Sequence, residues 1–301
     1  MNDPIAETVA QERPRLTNLA YRLLGSLTDA EDAVQEAYAR WFALISDQRD
    51  EIASPGAWLS TVTSRICLDV LGSARQRRER YVGEWVPEPV LPRGDWVGGR
   101  ATGTGPPDPA DQITLDESVS MAFLVVLEAM TPAERVAFVL HDVFRYPFAE
   151  VGEIVGRTPA ACRQLASSAR RRLRDSGAEP AALEDRDARA EQAAVVGRFR
   201  RAWQTGDLDG LLQVLTEDAV TITDGGGKVR AQVGPVTGGT RVAEFLLARR
   251  PDGLAVLEAP VNGRAGLVVQ RDGVTVMAVA FAVVGERIRH IWAVLNPDKL
   301  P

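Results

Sequence analysis

The chain has 301 residues, 45% hydrophobic and 25% charged, with a formal net charge of −6, which predicts two or three globular domains. No apolar run reaches the roughly 20 residues of a membrane span, and Met1–Ala10 lacks a basic-then-apolar signal pattern, so the expected setting is the cytoplasm with no membrane partner. Two cysteines and two histidines exclude a disulfide framework and a His-rich metal site, and the negative balance excludes general coating of nucleic acid but not a locally basic reader.

Residues 8–80 read as helices. Thr28-Asp-Ala-Glu31 has the form of a capping box. Behind it Ala30, Ala33, Val34, Ala37, Tyr38, Trp41, Phe42 and Ile45 keep helical spacing and predict one buried stripe. The opposite face carries Asp29, Asp32, Gln35 and Glu36. Ser54-Pro55, a cap followed by a first-turn proline, opens a second helix. It holds Trp58, Leu59, Val62, Ile66 and Val70 and runs into Arg75, Arg77, Arg78 and Arg80. Positive charge beside an aromatic such as Trp58 suits unstacked single strand, although a tryptophan at this spacing is also an ordinary core residue. Cys67 here and Cys162 further on sit at apolar helical positions and read as small core thiols.

Residues 81–111 contain Pro87, Pro89, Pro92, Pro106, Pro107 and Pro109 with many glycines and predict a structureless linker. Its apolar residues Trp85, Val86, Val90, Leu91 and Trp96 predict docking onto another surface. Residues 112–176 return to helical texture. Thr131-Pro-Ala-Glu134 caps one helix. Phe148–Val155, a turn at Gly156-Arg157 and a helix capped by Thr158-Pro159 match a helix-turn-helix. The second of these helices has no acid from Thr158 to Arg174. It offers Arg163 and Gln164 for base edges, and Arg170, Arg171, Arg172 and Arg174 for phosphates; the plainer alternative is a solvated basic face.

From about Ala188 to the end, helices around Phe199–Trp203 and Leu208–Leu215 precede strand-like runs at Ala219–Thr223, Leu254–Leu257, Leu267–Gln270, Val274–Val284 and Ile288–Val294, with a helix near Thr240–Arg249. Arg271-Asp272-Gly273 signals a hairpin. The pattern predicts a curved α+β domain with a meandering antiparallel sheet, and an interior that could hold a small ligand. His290 and Asp224 are the only evident catalytic candidates there, and no paired carboxylates or Cys/His arrangement supports them. The chain uses 33 arginines but only two lysines, Lys228 and Lys299, a bias of the kind a GC-rich genome produces; each lysine is a candidate for a tight pocket that takes a compact ammonium but not a guanidinium, and the plainer alternative is chance.

Three segments in order, LTDAEDAVQEAYARWFA, PGAWLSTVTSRICLDVL and TPAERVAF…FRYPFAEVGEIVGRTPAACRQLASSARRRLR, resemble the extracytoplasmic-function (ECF) sigma factors of bacterial RNA polymerase. WVPEP (Trp85–Pro89), DGGGK (Asp224–Lys228) and NPDKL (Asn296–Leu300) resemble the subgroup with a C-terminal SnoaL-like, NTF2-type domain, the sigma-J-like proteins. Met130 and Val86 stand where many members have Leu. The resemblance implies a multidomain chain of two all-α sigma domains followed by an α+β SnoaL-like domain. It implies region 2 over 1–80, a linker over 81–111, a region 4 helix-turn-helix over 112–176 and a regulatory domain over 188–301. Asp29, Asp32, Gln35 and Glu36 would dock on core polymerase, through its β′ and β subunits. Trp58, Arg65, Arg75, Arg77 and Arg78 would meet the minus-ten element, and Arg163, Gln164, Ser167, Arg170 and Arg171 the minus-thirty-five duplex. No catalytic residue, cofactor or metal is implied, and no separate anti-sigma protein is needed.

The tail Asn296–Leu300 has turn formers and one apolar anchor, Leu300. The linker presents Trp85, Pro87 and an anionic Glu88, and the glycines after Asp224 allow close backbone approach beside Lys228. Trp85, Pro87, Glu88, Asp224, Gly225, Lys228, Asn296, Asp298, Lys299 and Leu300 are therefore expected at one contact between linker and C-terminal domain, with apolar docking of Trp85 dominant. Two other readings stay open: a SnoaL-like cyclase or isomerase with a DNA-binding appendage, and a ligand-sensing helix-turn-helix repressor, which has no need of an acidic helix at 28–42.

Overall fold

The structure, a computed structural model, describes residues 9, 11–78, 81, 83–91, 95–97, 100–102, 119–176 and 186–301. It divides into two compact units, one of Met1–Glu79 with Phe123–Glu179, the other of Arg80–Ala122 with Pro180–Pro301. The linker thus belongs with the C-terminal domain.

In the first unit, α1 (Arg13–Leu24), α2 (Leu27–Ala43), α3 (Ser46–Asp50) and α4 (Pro55–Arg78) come first, and α6 (Pro132–Phe138), α7 (Phe148–Val155) and α8 (Pro159–Ser176) form the second group. Between the two groups in the chain comes α5 (Met121–Glu128). Gly25, left-handed at φ 69°, ends α1. The cap of α2 is Ser26, whose hydroxyl accepts from Asp29 N–H, and not the expected Thr28. The expected stripe is buried at Ala30, Ala33, Val34, Ala37 and Trp41, but Phe42 is 56% and Ile45 63% exposed. Ile45 lies beyond the end of α2, where helical spacing no longer applies, and Phe42 stacks on Tyr38 at 6.4 Å instead of entering the core. Thr131 and Glu134 form the expected capping box, and α6 continues as a π-helical turn over Val139–Val143. Cys67 and Cys162 are buried free thiols, and burial pushes both upward in pKa.

The two helical groups are packed together. Buried Arg135 donates to the Leu23 carbonyl and to Glu128, both at 2.8 Å, and Arg15 donates to the Tyr146 hydroxyl at 3.0 Å. Burial lowers the Arg135 guanidinium to about 9, which leaves it charged at neutral pH.

In the second unit the linker is not wholly structureless: β1 (Asp95–Val97) and β2 (Arg100–Thr102) pair antiparallel. Helices α9 (Arg186–Thr205) and α10 (Leu208–Val214) then lead into β3 (Leu215–Asp224). The remaining elements are β4 (Val236–Thr237), α11 (Gly239–Leu247), β5 (Ala255–Val261), β6 (Arg264–Arg271), β7 (Val274–Val284) and β8 (Arg287–Val294). The sheet order is β4-β3-β8-β7-β6-β5. The sheet is mixed where a pure antiparallel meander was expected, because β3 and β8 pair in parallel. Phe199, Trp203, Leu211, Val242, Leu267, Val279, Phe281 and Ile291 form the core between helices and sheet.

Candidate nucleic-acid interface and linker site

Helix α8 begins where Thr158 Oγ1 accepts from Ala161 N–H at 3.2 Å, after Gly156 has turned the chain at φ 68°. A non-glycine residue resists that left-handed geometry, so the glycine fixes the angle between α7 and α8. Cys162, Ala166, Ala169 and Leu173 face inward, which leaves Arg163, Gln164, Ser167 and Arg171 exposed along one face. Arg163 also covers the Phe148 ring at 5.3 Å. Arg170 differs from the expectation of a free phosphate contact: its Nε donates to Asp142 at 2.7 Å.

On α4, Trp58 is half-buried with its ring edge-on to buried Trp41 at 5.3 Å. The structure thus realises the core role for much of this side chain. Arg65 is exposed and donates to the Glu153 carbonyl at 3.2 Å. Arg75, Arg77 and Arg78 lie on the α4 backbone, and their side chains fall outside the described residues. Asp32, Gln35 and Glu36 are exposed, Asp29 is half-buried, and Glu36 pairs with Arg40.

The C-terminal unit holds the best-formed polar site. Asp224, at the end of β3, is fully buried. One carboxylate oxygen accepts from the Tyr81 hydroxyl at 2.6 Å and from Gly226 N–H at 3.0 Å. The other accepts from Val86 N–H at 3.0 Å and from Lys299 Nζ at 2.7 Å. Lys299 also donates to the Val86 carbonyl at 2.6 Å, and its ammonium sits 3.2 Å from the centre of the Trp85 ring and 5.2 Å from that of Tyr81. A buried charge is tolerated when it is paired and its hydrogen-bonding capacity is filled; here four donors surround one carboxylate. Asn296 adds a donation from Nδ2 to the Tyr81 hydroxyl at 2.9 Å, and its backbone N–H reaches the Asp224 carbonyl at 3.0 Å. Burial, then the Asp224 carboxylate, raise the Tyr81 pKa.

The glycines are needed here. Gly226 has φ 60°, and a Cβ on it would lie 2.4 Å from the Asn296 side chain. Gly225 is buried, with the Val229 carbonyl 2.2 Å from where a Cβ would stand. Lys228 pairs with Asp298 at 2.6 Å across an exposed edge. The expected contact is therefore present, with three corrections. Val86, 1% exposed, is the buried linker side chain, while Trp85 is half-exposed and presents its face to Lys299. The carboxylates found against the lysines are Asp224 and Asp298, with Glu88 half-buried nearby in sequence. Lys299 is the tail residue sealed inside, and Leu300 is only half-buried. Pro87 and Pro89 are buried.

Two participants were not anticipated. One is Tyr81. The other is Asn262, which takes Val90 N–H at 3.3 Å and gives its own N–H to the Val90 carbonyl at 2.9 Å. Asn262-Gly263, both at positive φ between β5 and β6, is a hairpin dipeptide that could have been found in the sequence.

Comparison with known proteins matches residues 8–78 to sigma-70 region 2 and 120–173 to sigma-70 region 4. The ECF RNA polymerase sigma factor SigJ of Mycobacterium tuberculosis is 41% identical over 300 residues, 95% of this chain and 90% of that protein. The chain belongs to the ECF RNA polymerase sigma factors. A second M. tuberculosis relative, the probable ECF sigma factor SigI, is 35% identical over 99% of this chain and 96% of its own length. The crystal structure of M. tuberculosis SigJ aligns with a TM-score of 0.75 at 37% identity, over 98% of this chain and 97% of that one. The architecture of this ECF factor is thus two sigma regions followed by a C-terminal α+β domain built on a six-stranded mixed sheet. Among the described residues no helix is long and apolar enough to cross a membrane.

Proposed function

We propose that the chain is a promoter-specific transcription initiation factor regulated in cis, its C-terminal domain holding the interdomain linker through Asp224 and Lys299. Region 2 would bind core polymerase through Asp32, Gln35 and Glu36, with Asp29 behind them, on the β′ subunit, and other surfaces would meet β. Exposed Phe42 and Ile45 flank that acidic face and supply the apolar part a stable interface needs. Trp58 and Arg65 with Arg75, Arg77 and Arg78 would meet the minus-ten element. Arg163, Gln164, Ser167 and Arg171 would read the minus-thirty-five duplex, with Arg170 in a lesser role. The factor works in the cytoplasm with the polymerase. It catalyses no reaction and needs no cofactor. It requires no separate anti-sigma protein, because the tail already occupies the linker.

The observation that carries the regulatory reading is the Asp224 carboxylate, which receives linker, turn and tail together. The test is run-off transcription with core polymerase, comparing the full chain with a chain ending at Leu295 and with an Asp32→Lys/Glu36→Lys variant. Loss of the tail should change promoter-directed output while circular dichroism stays constant, and the charge reversals should abolish co-purification with core enzyme. Unchanged output from the truncated chain would refute the regulatory role.

A further inference from the structure

The C-terminal unit encloses a chamber of about 810 Å³, bounded by Phe199, Trp203, Met277, Val279 and Ile291 at its apolar wall. That volume lies within the range of about 300–1,000 Å³ typical of small-molecule sites. Three features restrict what it could hold. Among the described residues the only charged ones on its lining are Arg230 and Arg249, with no carboxylate or imidazole. Both arginines are exposed, no carboxylate pairs with either among the described residues, and Arg249 is spread over the Phe245 ring at 4.1 Å. Finally, Thr221 lines the chamber at 2% exposure, and its hydroxyl has no partner among the described residues. A buried hydroxyl left unpaired is unfavourable, so this one is placed for a polar group arriving from the chamber. His290 belongs to the opposite face of β8: Ile291 and Ala293 line the chamber, whereas His290 stacks on Trp292.

We propose that this chamber binds a small amphipathic organic anion, its carboxylate or sulfonate at Arg230 and Arg249 and its apolar body against the wall. The site is mechanically continuous with the linker clamp. The loop between β3 and β4 lines the chamber with Arg230, Ala231, Gln232 and Val233, and the same loop carries Gly226 and Lys228 against the tail. Thr223 and Gln232 tie the loop to β3, the Thr223 hydroxyl accepting Gln232 N–H at 3.0 Å, one residue before Asp224. Leu295 lines the chamber one residue before Asn296. Occupation of the chamber therefore acts on the two strand ends that hold the linker. The binding half stands apart from the regulatory reading, and the coupling half rests on it.

The experiment uses the full chain and a fluorescent probe, 1-pyrenebutyrate, followed by energy transfer from tryptophan. The neutral 1-pyrenebutanol and a pyrenyl trimethylammonium salt serve as matched comparators. The carboxylate should bind at least tenfold more tightly than the alcohol, and the ammonium should bind more weakly than either. Arg230→Ala and Arg249→Ala should bring carboxylate and alcohol within about threefold of each other. Met277→Trp, or Val279→Trp if the first fails to fold by circular dichroism, should abolish binding by filling the chamber. Equal affinity for all three probes, no binding at all, or binding that survives a folded chamber-filling variant would overturn the proposal. At saturating 1-pyrenebutyrate the Val86 amide should exchange with solvent at a changed rate; an unaltered rate overturns the coupling. No polymerase is present, so failure here and failure of the transcription test are separate results.

Discussion

Replacing Lys299 by Ala removes the only cation that pairs, among the described residues, with a carboxylate that has no solvent exposure; the Lys299 side chain itself is 6% exposed. Breaking a buried ion pair from one side costs about 3–5 kcal/mol, because the remaining charge is left uncompensated. Tyr81, Gly226 and Val86 still donate to Asp224, so the low end applies, about 3 kcal/mol, or roughly a hundredfold in the ratio of attached to detached linker. Burial of the Val86 side chain, itself worth about 1.5–3 kcal/mol, keeps part of the attachment. The assay is hydrogen exchange at Val86 N–H, which reports detachment directly because its acceptor is Asp224. Exchange should quicken by about two decades in Lys299→Ala. Lys299→Arg should quicken it too: a wide planar fork does not fit where an ammonium sits between carboxylate and indole face, and overpacking costs roughly 1–3 kcal/mol. The double variant Asp224→Asn/Lys299→Met removes both charges and should return exchange to within about tenfold of the wild type. If Val86 exchanges in Lys299→Ala as it does in the parent, or if the double variant is as loose as the single, the buried pair is not what holds the linker.

Gly226→Ala should loosen the tail by about 1–2 kcal/mol from its left-handed φ alone, and by more from the Asn296 collision, seen as faster Val86 exchange. Gly234→Ala shares the positive φ with nothing within 4 Å and should leave that amide unchanged. Arg163→Ala should cost about 1–3 kcal/mol at one base of the minus-thirty-five element in holoenzyme footprinting, while Arg171→Ala should weaken all sequences alike and lower the salt slope by about one. Tyr81 ionises at a pKa raised above 10.0, so its contribution to the clamp is fully present below pH 10 and is lost as pH rises through the raised value; a Val86 exchange profile corrected for intrinsic base catalysis should show this loss, and Tyr81→Phe should abolish the pH step.

The linker site was legible because composition singled it out. In a chain with 33 arginines, two lysines inside short motifs drew attention to this place, and the glycine run after Asp224 announced close approach; the tight-pocket reading holds for Lys299, at 6% exposure, and fails for Lys228, at 54% on an open edge. Which carboxylate took which lysine was not legible, since Glu88 and Asp224 are both plausible on charge and only the fold decides that Asp224 lies inside. Parallel pairing of β3 with β8 was hidden for a similar reason. Alternation reports which face of a strand is buried, not which distant strand lies beside it. The misplaced cap on α2 has a local cause: Ser26 and Thr28 are both competent acceptors, and Gly25 in the left-handed region ends α1 so closely that the first of them is taken. Phe42 and Ile45 were extrapolated into the core by periodicity, and their exposure beside the acidic face is the feature that now favours an interface.

The packing of region 4 against region 2 sets a geometric condition on promoter reading. The two elements are named for positions about 25 base pairs apart, or about 85 Å along the duplex at 3.4 Å per step. The unit formed by Met1–Glu79 and Phe123–Glu179 is compact, and a domain of that size has a radius of gyration of about 14 Å. If Arg163 on α8 and Trp58 on α4 read the two elements as proposed, they cannot occupy both while they remain in one such unit. On that assignment the Arg135–Leu23, Arg15–Tyr146 and Arg65–Glu153 contacts would have to be given up on the promoter, and the same step would free Arg65 for the DNA contact proposed for it. Once the regions part, the linker sets how far. At about 3.3 Å per residue, the 43 residues Arg80–Ala122 could span at most about 140 Å. Holding Tyr81 to Leu91 against the C-terminal domain fixes a stretch of up to about 35 Å in one path and leaves only the remaining roughly 100 Å free to adjust. If the clamp at Asp224 regulates as proposed, it would act by narrowing the range of spacer lengths rather than by hiding either element, and its release should broaden that range before it changes affinity for either element alone.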